Sequence, residues 1–254
     1  MDMPVNRFKH AIRAGTPQLG IWSALASNYV AEALAGAGFD WILLDTEHSP
    51  NELPQVMAQL QAVAPYPTSA IVRPAWNDMV LIKRFLDIGA QTLLIPFVQN
   101  ADEAARAVRF MRYPPHGMRG VSGTTRANRF GRVPDYFSRV NDELCLLVQV
   151  ETRTALAEIE KIAALDGVDG IFIGPADLSA DFGNVGRNSE PEVLAAISEA
   201  GKRIRRAGKA PGILAPIEAE SRRWLDEGFL FVSVGVDLGM LARGSDALLK
   251  KFRP

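Results

Sequence analysis

The sequence reads Trp41-Ile42-Leu43-Leu44-Asp45-Thr46-Glu47-His48-Ser49-Pro50 where an apolar run ends abruptly in two carboxylates and an imidazole. A helix-start signal follows at once, since Ser49 and Glu52 have the spacing of a capping box and Pro50 falls at the first helical position. The pattern predicts a strand that turns directly into a helix. In a barrel built from such units, active sites collect at these turns.

Apolar segments rich in β-branched residues recur along the chain. They do not alternate with polar residues, which predicts short strands buried on both faces. The eight predicted strands span residues 19–22, 40–44, 69–73, 92–96, 144–150, 170–173, 211–214 and 230–234.

Helical patterns separate these strands, and Asn100 with Glu103 and Ser189 with Glu192 add further capping signals. The predicted helices span residues 28–36, 51–63, 78–88, a segment from 100, 152–164, 191–207, 217–227 and 238–252. Strict alternation with short connections demands parallel pairing. The prediction is an α/β fold, a single (β/α)8 TIM barrel over residues 1–254 with an additional N-terminal helix.

A doubly wound open sheet is the alternative architecture. Its dinucleotide-binding glycine motif should follow a strand and open a helix. The glycine cluster Gly36-Ala37-Gly38 instead follows a predicted helix and precedes a strand, and it lacks the third glycine. The barrel is therefore favoured.

Composition narrows the functional classes. The chain has 254 residues with a formal net charge of −1, which gives no support for a nucleic-acid or membrane-surface role. No apolar segment approaches the length of a membrane span, and residues 1–15 lack the apolar core of a signal peptide. The single cysteine, Cys145, lies in an apolar run and fits a buried side chain in a reducing compartment. We therefore expect a soluble cytoplasmic protein.

The C-terminal tips of barrel strands are where chemistry is expected, and here they carry many polar side chains. The tips hold Trp22, Asp45, Glu47, His48, Arg73, Pro96, Gln99, Gln149, Glu151, Gly174, Asp177, Leu214 and Gly235. Glu151 and Asp177 come from adjacent strands, so their carboxylates should repel unless a cation or a proton lies between them. Carboxylate ligands without a Cys or His cluster favour Mg²⁺, Mn²⁺ or Co²⁺. The alternative is that each acid only caps the following helix.

Three further features complete a candidate catalytic site. His48 would be a general base oriented by Asp45 or Glu47, unless it is a structural histidine. Arg73, fixed ahead of Pro74, would place a positive charge at the barrel mouth, although a surface ion pair is the simpler interpretation. The segment Gly174-Pro175-Ala176-Asp177 would offer helix-start amides to a carboxylate.

Together these groups suit the formation of an enolate, with metal and arginine stabilising the oxyanion and histidine as base. An imine route would need a lysine at a strand end. The lysines considered for that role fall in predicted helices or at the start of a strand, at Lys83, Lys161, Lys202, Lys209, Lys250 and Lys251.

Two connections are longer than barrel loops usually are. Residues 112–141 carry four arginines between Arg119 and Arg132, and residues 179–189 are rich in Asp, Gly and Asn. We expect both to reach the catalytic rim, with the arginines facing an acidic or hydroxylated substrate or only solvent.

The sequence resembles the HpcH/HpaI family of metal-dependent pyruvate aldolases nearly end to end. The shared motifs are Gly36-Ala37-Gly38-Phe39-Asp40-Trp41, Asp45-Thr46-Glu47-His48, Val72-Arg73-Pro74, Arg112-Tyr113-Pro114-Pro115, Arg119-Gly120, Gln149-Val150-Glu151-Thr152 and Gly170-Ile171-Phe172-Ile173-Gly174-Pro175-Ala176-Asp177-Leu178-Ser179. The resemblance implies reversible aldol addition of pyruvate or hydroxypyruvate to an aldehyde through a metal-stabilised enolate, giving 4-hydroxy-2-oxo acids, with oxaloacetate decarboxylation as a side activity.

The resemblance also implies a role for each residue. Glu151 and Asp177 would hold the metal, Arg73 would bind the keto or enolate oxygen, and His48 paired with Asp45 would move the proton with metal-bound water. The remaining substrate contacts implied or placed at the rim are Gln149, Gly174, Pro175, Ala176, Trp22 and Leu214.

Relatives of this family also imply the assembly. The resemblance predicts a homohexamer, a trimer of dimers in which the last helix packs on a neighbour. Asp87 is the candidate for a residue contributed across subunits.

Two other functions remain open at the sequence level. One is a carbon–carbon lyase acting on a CoA thioester, as in the citrate-lyase β branch, which would need room and cationic contacts for CoA. The other is a non-catalytic binding barrel, in which the two acids would bind neither metal nor pyruvate.

Overall fold

The computed structural model describes residues 1–253 and contains a closed barrel of eight parallel strands that pair in chain order. Pro254, the end of the predicted domain, lies outside the described residues. The strands are β1 Gln18–Ser23, β2 Trp41–Asp45, β3 Ser69–Arg73, β4 Thr92–Ile95, β5 Cys145–Val150, β6 Gly170–Ile173, β7 Ala210–Leu214 and β8 Phe231–Val236. The predicted (β/α)8 barrel is confirmed, with every strand within two residues of its expected bounds.

Twelve helices surround the barrel within residues 1–253. They are α1 Arg7–Arg13, α2 Asn28–Gly36, α3 Leu53–Val63, α4 Met79–Asp87, α5 Ala101–Met111, α6 Tyr136–Glu143, α7 Arg153–Ala157, α8 Ile159–Ala163, α9 Pro175–Asp181, α10 Pro191–Arg206, α11 Glu218–Asp226 and α12 Asp237–Lys250. The helix predicted over 152–164 is divided at Glu158 into α7 and α8, and α6 and α9 were not predicted.

Two predicted capping boxes are wrong. Helix α3 begins at Leu53 after Glu52, whose side chain makes no capping bond, and Ser49 Oγ instead donates to the Asp45 carbonyl at 2.8 Å. At α10, Ser189 Oγ donates to Glu220, so it is not the cap. In both cases a proline in the first helical turn fixes the start, because its missing N–H needs no cap.

The capping signal at α5 is confirmed. The Asn100 side chain accepts from the Glu103 N–H at 2.9 Å, and the Glu103 carboxylate accepts from the Gln99 N–H at 2.8 Å.

Large side chains fill the barrel interior. Trp22, Trp41, Phe172 and Phe231 are all at most 4% exposed and pack edge-on or tilted against one another. Gly212 makes room for this packing, since a Cβ there would lie 2.1 Å from the Phe231 ring. The interior of the barrel is therefore filled by side chains rather than open, and a site is expected at its C-terminal end.

The two long connections lie at opposite ends of the barrel. The segment 112–135 follows α5, and its Arg126 donates to the carbonyls of Leu60 and Ile88, at the ends of α3 and α4. The C-terminal ends of the helices lie at the N-terminal face of the barrel, opposite the catalytic rim. The expectation that the loop arginines reach the catalytic rim of their own chain is therefore wrong. The segment 182–190 follows the short helix α9 and lies at the C-terminal rim, because Asp181 accepts from the Arg153 N–H at the start of α7.

Within residues 1–253, no helix is long and apolar enough to cross a bilayer.

Candidate active site

An arginine–aspartate pair lies at the C-terminal end of β2 and β3. Parallel pairing places Asp45 beside Arg73, and the guanidinium donates to both carboxylate oxygens, from Nε at 2.9 Å and from Nη2 at 2.7 Å. The residues are 2% and 5% exposed, so this is not the surface ion pair considered from sequence. Trp22 lies beneath the guanidinium, 4.8 Å from Cζ to the ring centroid, and its Nε1 donates to Asp45 at 3.2 Å.

The pair keeps Asp45 ionised. Burial alone would raise the pKa of Asp45, but the hydrogen bonds and charge of Arg73 outweigh it and hold the pKa below the usual 3.8. Asp45 therefore positions Arg73 and holds it in one orientation.

Glu47 is the acid closest to His48, which corrects the expected pairing of Asp45 with His48. His48 Nε2 lies 4.0 Å from Glu47 Oε2, and the imidazole is 68% exposed. The same Glu47 oxygen lies 2.7 Å from Arg73 Nη1. Burial raises the pKa of Glu47 despite the positive charges of Arg73 and His48. The Asp45 oxygens instead accept hydrogen bonds from Arg73 and Trp22.

Gln149 connects the arginine to the next acid. Its Oε1 accepts from Arg73 Nη1 at 3.4 Å, and its Nε2 donates to Glu151 Oε2. The other Glu151 oxygen accepts from the Phe97 N–H at 2.8 Å. Burial, together with the charges of Asp177 and Glu47, raises the pKa of Glu151 to about 7.

The helix-cap interpretation fails for Glu151. Thr152 caps α7, since its side chain accepts from the Ala155 N–H at 3.1 Å. Asp177 lies in the first turn of α9, where a helix dipole also favours an acid, and it is exposed at the barrel mouth. The Ala176 and Asp177 N–H groups belong to that same first turn, whose donors have no partner inside the helix.

A side chain at Gly174 would collide with the site. A Cβ there would lie 2.3 Å from Glu151 Oε2 and 2.9 Å from Gln149 Nε2. We expect Gly174→Ala to displace the Glu151 carboxylate and to lower turnover by about 10- to 100-fold, as loss of positioning around a metal-binding or reacting group does. Gly123→Ala is the control, because nothing lies within 4 Å of its Cβ position. Equal kinetics for the two variants would contradict the role of this close contact.

Sequence reasoning missed two aromatic residues at the rim. Phe97 follows β4 with a φ of 52°, and this left-handed backbone directs its N–H to Glu151. Its ring stacks on Trp76 with centroids 6.0 Å apart, and the rings are 41% and 54% exposed. A left-handed phenylalanine leaves no pattern in the sequence, since glycine is the usual residue there. These rings form an apolar wall beside the buried acid.

Asp237 is a third residue that the sequence did not single out. It is 4% exposed, and its oxygens accept from Ser23 Oγ at 3.0 Å and from the Ala24 and Leu25 N–H groups. These bonds fix the loop after β1, next to Trp22, at the rim.

The remaining predicted site residues lie in two places. Leu214 is half-buried at the end of β7. Asp87 ends α4 on the opposite face and is bound to Arg119 at 2.7 Å, so its own chain does not bring it to the site. Lys9 is also at that end, away from the candidate site, and its ammonium donates to the carbonyls of Leu144 and Asn141.

A metal ion would find an oxygen-only set of donors here. In the described part of the chain, no three His, Cys, Asp or Glu side chains are arranged to enclose a metal ion. The negative charges of Asp177 and Glu47 nevertheless help to raise the pKa of Glu151, after the larger effect of burial. A divalent cation would relieve that repulsion, so the donor set fits a hard cation that keeps open positions.

Two curated relatives match nearly the whole chain. The chain is 59% identical to a 4-hydroxy-2-oxo-heptane-1,7-dioate aldolase of Klebsiella pneumoniae over 248 residues, covering 97% of this chain and 94% of the relative. It is 58% identical to a pyruvate aldolase of Rhizobium etli over 252 residues, covering 99% of each.

A solved structure also matches the chain over nearly its whole length. An HpcH/HpaI aldolase/citrate lyase family protein from Burkholderia cenocepacia matches with a TM-score of 0.95 and 39% identity, covering 98% of this chain and 100% of that one. A model of the family described as HpcH/HpaI aldolase/citrate lyase matches residues 18–244. The chain therefore belongs to the HpcH/HpaI aldolase/citrate lyase family.

Proposed function

We propose that the protein is a metal-dependent aldolase that adds pyruvate or hydroxypyruvate reversibly to an aldehyde, giving 4-hydroxy-2-oxo acids. The observation that carries the proposal is the buried network from Asp45 through Arg73 and Gln149 to Glu151, whose raised pKa calls for a cation beside it. The two relatives named above are a 4-hydroxy-2-oxo-heptane-1,7-dioate aldolase and a pyruvate aldolase, which supports the same reaction class. In this proposal residues 1–254 act as one cytoplasmic catalytic domain.

Glu151 and Asp177 hold the divalent cation in this proposal, with Mg²⁺, Mn²⁺ and Co²⁺ as the candidates. When bound, the cation supplies Lewis-acid polarisation of the substrate carbonyl. Gln149 and the Phe97 N–H each bond one Glu151 oxygen and so orient the carboxylate.

The 2-oxo acid is held by fixed charges and amides. Its carboxylate rests on the first turn of α9, where Ala176 and Asp177 offer N–H groups and Pro175 offers none. Arg73 binds the keto oxygen, and its guanidinium cannot rotate away because Asp45 holds two of its nitrogens. Trp22 and Phe172 form the apolar floor.

His48 holds and moves the proton. Its imidazole is exposed at the rim, where a substrate carbon or oxygen can approach it, and Glu47 is the carboxylate beside it. Asp45 acts on Arg73 rather than on His48 in this scheme.

Retro-aldol cleavage of 4-hydroxy-2-oxo acids tests the proposal. Coupled detection of released pyruvate should show turnover in protein refilled with Mn²⁺ or Mg²⁺. Turnover should fall at least about 100-fold after exhaustive chelation, since the carbonyl then loses its charge stabilisation. Undiminished turnover in protein shown by elemental analysis to be metal-free would refute the metal-dependent reaction.

We also propose that the protein assembles as a homo-oligomer, a hexamer built as a trimer of dimers. Helix α12 supports this, because in the described chain its only buried residue is Asp237. Its large apolar side chains are about half exposed or more, at Leu238, Met240, Leu241, Leu248 and Leu249. A neighbouring subunit would cover this face, and Asp87 of another subunit would complete the pocket.

A further inference from the structure

A cavity of about 320 Å³ lies at the N-terminal end of the barrel. It is lined by the first residues of β3 and β4, by the ends of α3 and α4, and by the N-terminal segment Pro4–Arg7. The packed rings of Trp41 and Phe231 fill the barrel above this end. The cavity is therefore separate from the candidate active site, and its volume falls in the range of small-molecule sites.

Its charges are all of one sign. Three arginines line the cavity, Arg7, Arg126 and Arg129, and no aspartate or glutamate is among the lining residues. Every other cavity-lining side chain is apolar or neutral. Among residues 1–253 none of the three arginines has a carboxylate within 4.0 Å, whereas six arginines elsewhere in the fold are bound to Asp or Glu, at Arg13, Arg73, Arg112, Arg119, Arg153 and Arg203.

The arginines are held in place by the fold. Arg126 is half-buried, and its Nη1 and Nη2 donate to the Ile88 and Leu60 carbonyls at 2.8 and 3.4 Å. Burial, and then the nearby charge of Arg129, lowers the pKa of Arg126. Two like charges are thus kept close together without a counter-charge from the chain.

The backbone at Arg129 is itself constrained. Arg129 has a φ of 54°, in the left-handed region that non-glycine residues rarely adopt. The Asn128 carboxamide oxygen holds the turn by accepting from the Thr125 and Gly131 N–H groups. The turn thus places Arg129, which has no carboxylate partner among the described residues, at a cavity that Arg126 also lines.

We propose that this cavity binds a small dianion, either a dicarboxylate or a phosphate ester. The guanidinium groups of Arg7, Arg126 and Arg129 would bind its charged ends by charge-assisted hydrogen bonds. Its carbon skeleton would pack on the apolar wall formed by Leu60, Val63 and Val140. Thr68 and Gln91 also line the cavity and offer neutral polar contacts. This cavity lies at the end of the barrel opposite the candidate active site of the same chain.

The test is a titration with small anions in which binding is followed by the NMR signal of the Met3 methyl group. Met3 lines the cavity and is 7% exposed, whereas Met79 begins α4 at the catalytic end. In protein labelled with ¹³C at the methionine methyl groups, succinate and inorganic phosphate are titrated separately, with Met3→Leu used to assign the signal. Saturable movement of the Met3 signal while Met79 stays fixed is expected with at least one probe, and the probe that acts identifies the class of anion.

Charge variants decide whether the arginines cause the binding. The double variant Arg7→Gln with Arg129→Gln should weaken the titration at least about tenfold, since each charged hydrogen bond contributes strongly. Both residues are exposed, so the fold should tolerate the change. Arg139→Gln is the matched control. It also removes an exposed arginine, from the neighbouring helix α6, but Arg139 itself does not line the cavity. Absence of a saturable Met3 shift with both anions, or unchanged affinity in the double variant, would overturn the proposal.

Discussion

Glu151→Gln is expected to abolish metal-dependent turnover, with metal affinity reduced at least about 100-fold, because even partners of a metal ligand are worth about 10- to 100-fold. The amide keeps the size of the side chain but loses the charge that the cation needs. Calorimetric titration with Mn²⁺ and retro-aldol kinetics measure the two effects. Glu158→Gln is the matched control, since Glu158 is ion-paired with Lys161 on the outer helices.

A stability measurement separates this effect from misfolding. The pKa of Glu151 in the folded protein is about 7, above its ordinary 4.5, so the folded state favours the protonated acid. In metal-free wild type, stability should therefore fall as pH rises from about 4.5 to 7, because the carboxyl loses its proton less readily when folded. Glu151→Gln should lack this fall in stability between about pH 4.5 and 7. Mn²⁺ should raise the Tm of the wild type but not of Glu151→Gln. Metal binding by the variant with wild-type affinity would remove Glu151 from the site.

Arg73→Lys is expected to lower kcat/KM by about 10²- to 10³-fold, the scale for losing a preorganised charge at a reacting oxygen. Lysine keeps the charge, but one ammonium cannot reproduce the two bonds to Asp45 and the contact with Gln149. The variant should also lose stability, since disrupting a buried pair leaves a poorly compensated carboxylate at a cost of up to about 3–5 kcal/mol.

The control for this variant is Arg153→Lys, at the same rim. Arg153 is 62% exposed and bound to Asp181, so the change should have little effect on either quantity. Steady-state kinetics and thermal unfolding of both variants are the measurements. Activity within about twofold of wild type for Arg73→Lys would mean that the guanidinium geometry does not matter, in contradiction to the preorganised charge proposed.

The fold was predictable because each strand can be recognised from the apolar pattern of its own short segment of sequence. Runs such as 170–173 are apolar at every position, and only strands buried on both faces require that. The errors lie at the helix starts, where Ser49 had a capping pattern but its hydroxyl found the Asp45 carbonyl instead. Which partner the Ser49 hydroxyl binds depends on the path of the backbone through the turn, and the spacing of Ser49 and Glu52 in the sequence does not encode that path.

The sequence singled out Asp45, Arg73, Gln149 and Glu151, which the structure connects by hydrogen bonds, but it did not predict which of them pair. Asp45 and Glu47 were both open as the partner of His48, and the family resemblance favoured Asp45, but the strand register puts Asp45 beside Arg73. Glu47 then becomes the neighbour of the imidazole. Phe97 was missed because its contribution is a backbone N–H in a left-handed conformation, which side-chain chemistry does not reveal.

The loop arginines show a different limit. Their position between β4 and β5 was visible in the sequence, but the helix α5 comes first and carries the chain to the far end of the barrel. Two of them, Arg126 and Arg129, line the cavity at the N-terminal end of the barrel rather than the catalytic rim.

The central claim is that this site removes a proton from a pyruvate-type donor with a divalent cation present. Exchange of the pyruvate methyl protons with D₂O, followed by ¹H NMR without any aldehyde, tests it most directly. We expect enzyme-dependent exchange with Mg²⁺ or another active cation, loss of exchange on chelation, and loss in Glu151→Gln but not in Glu158→Gln. Exchange that persists in metal-free protein, or no exchange in metal-loaded wild type, would contradict it.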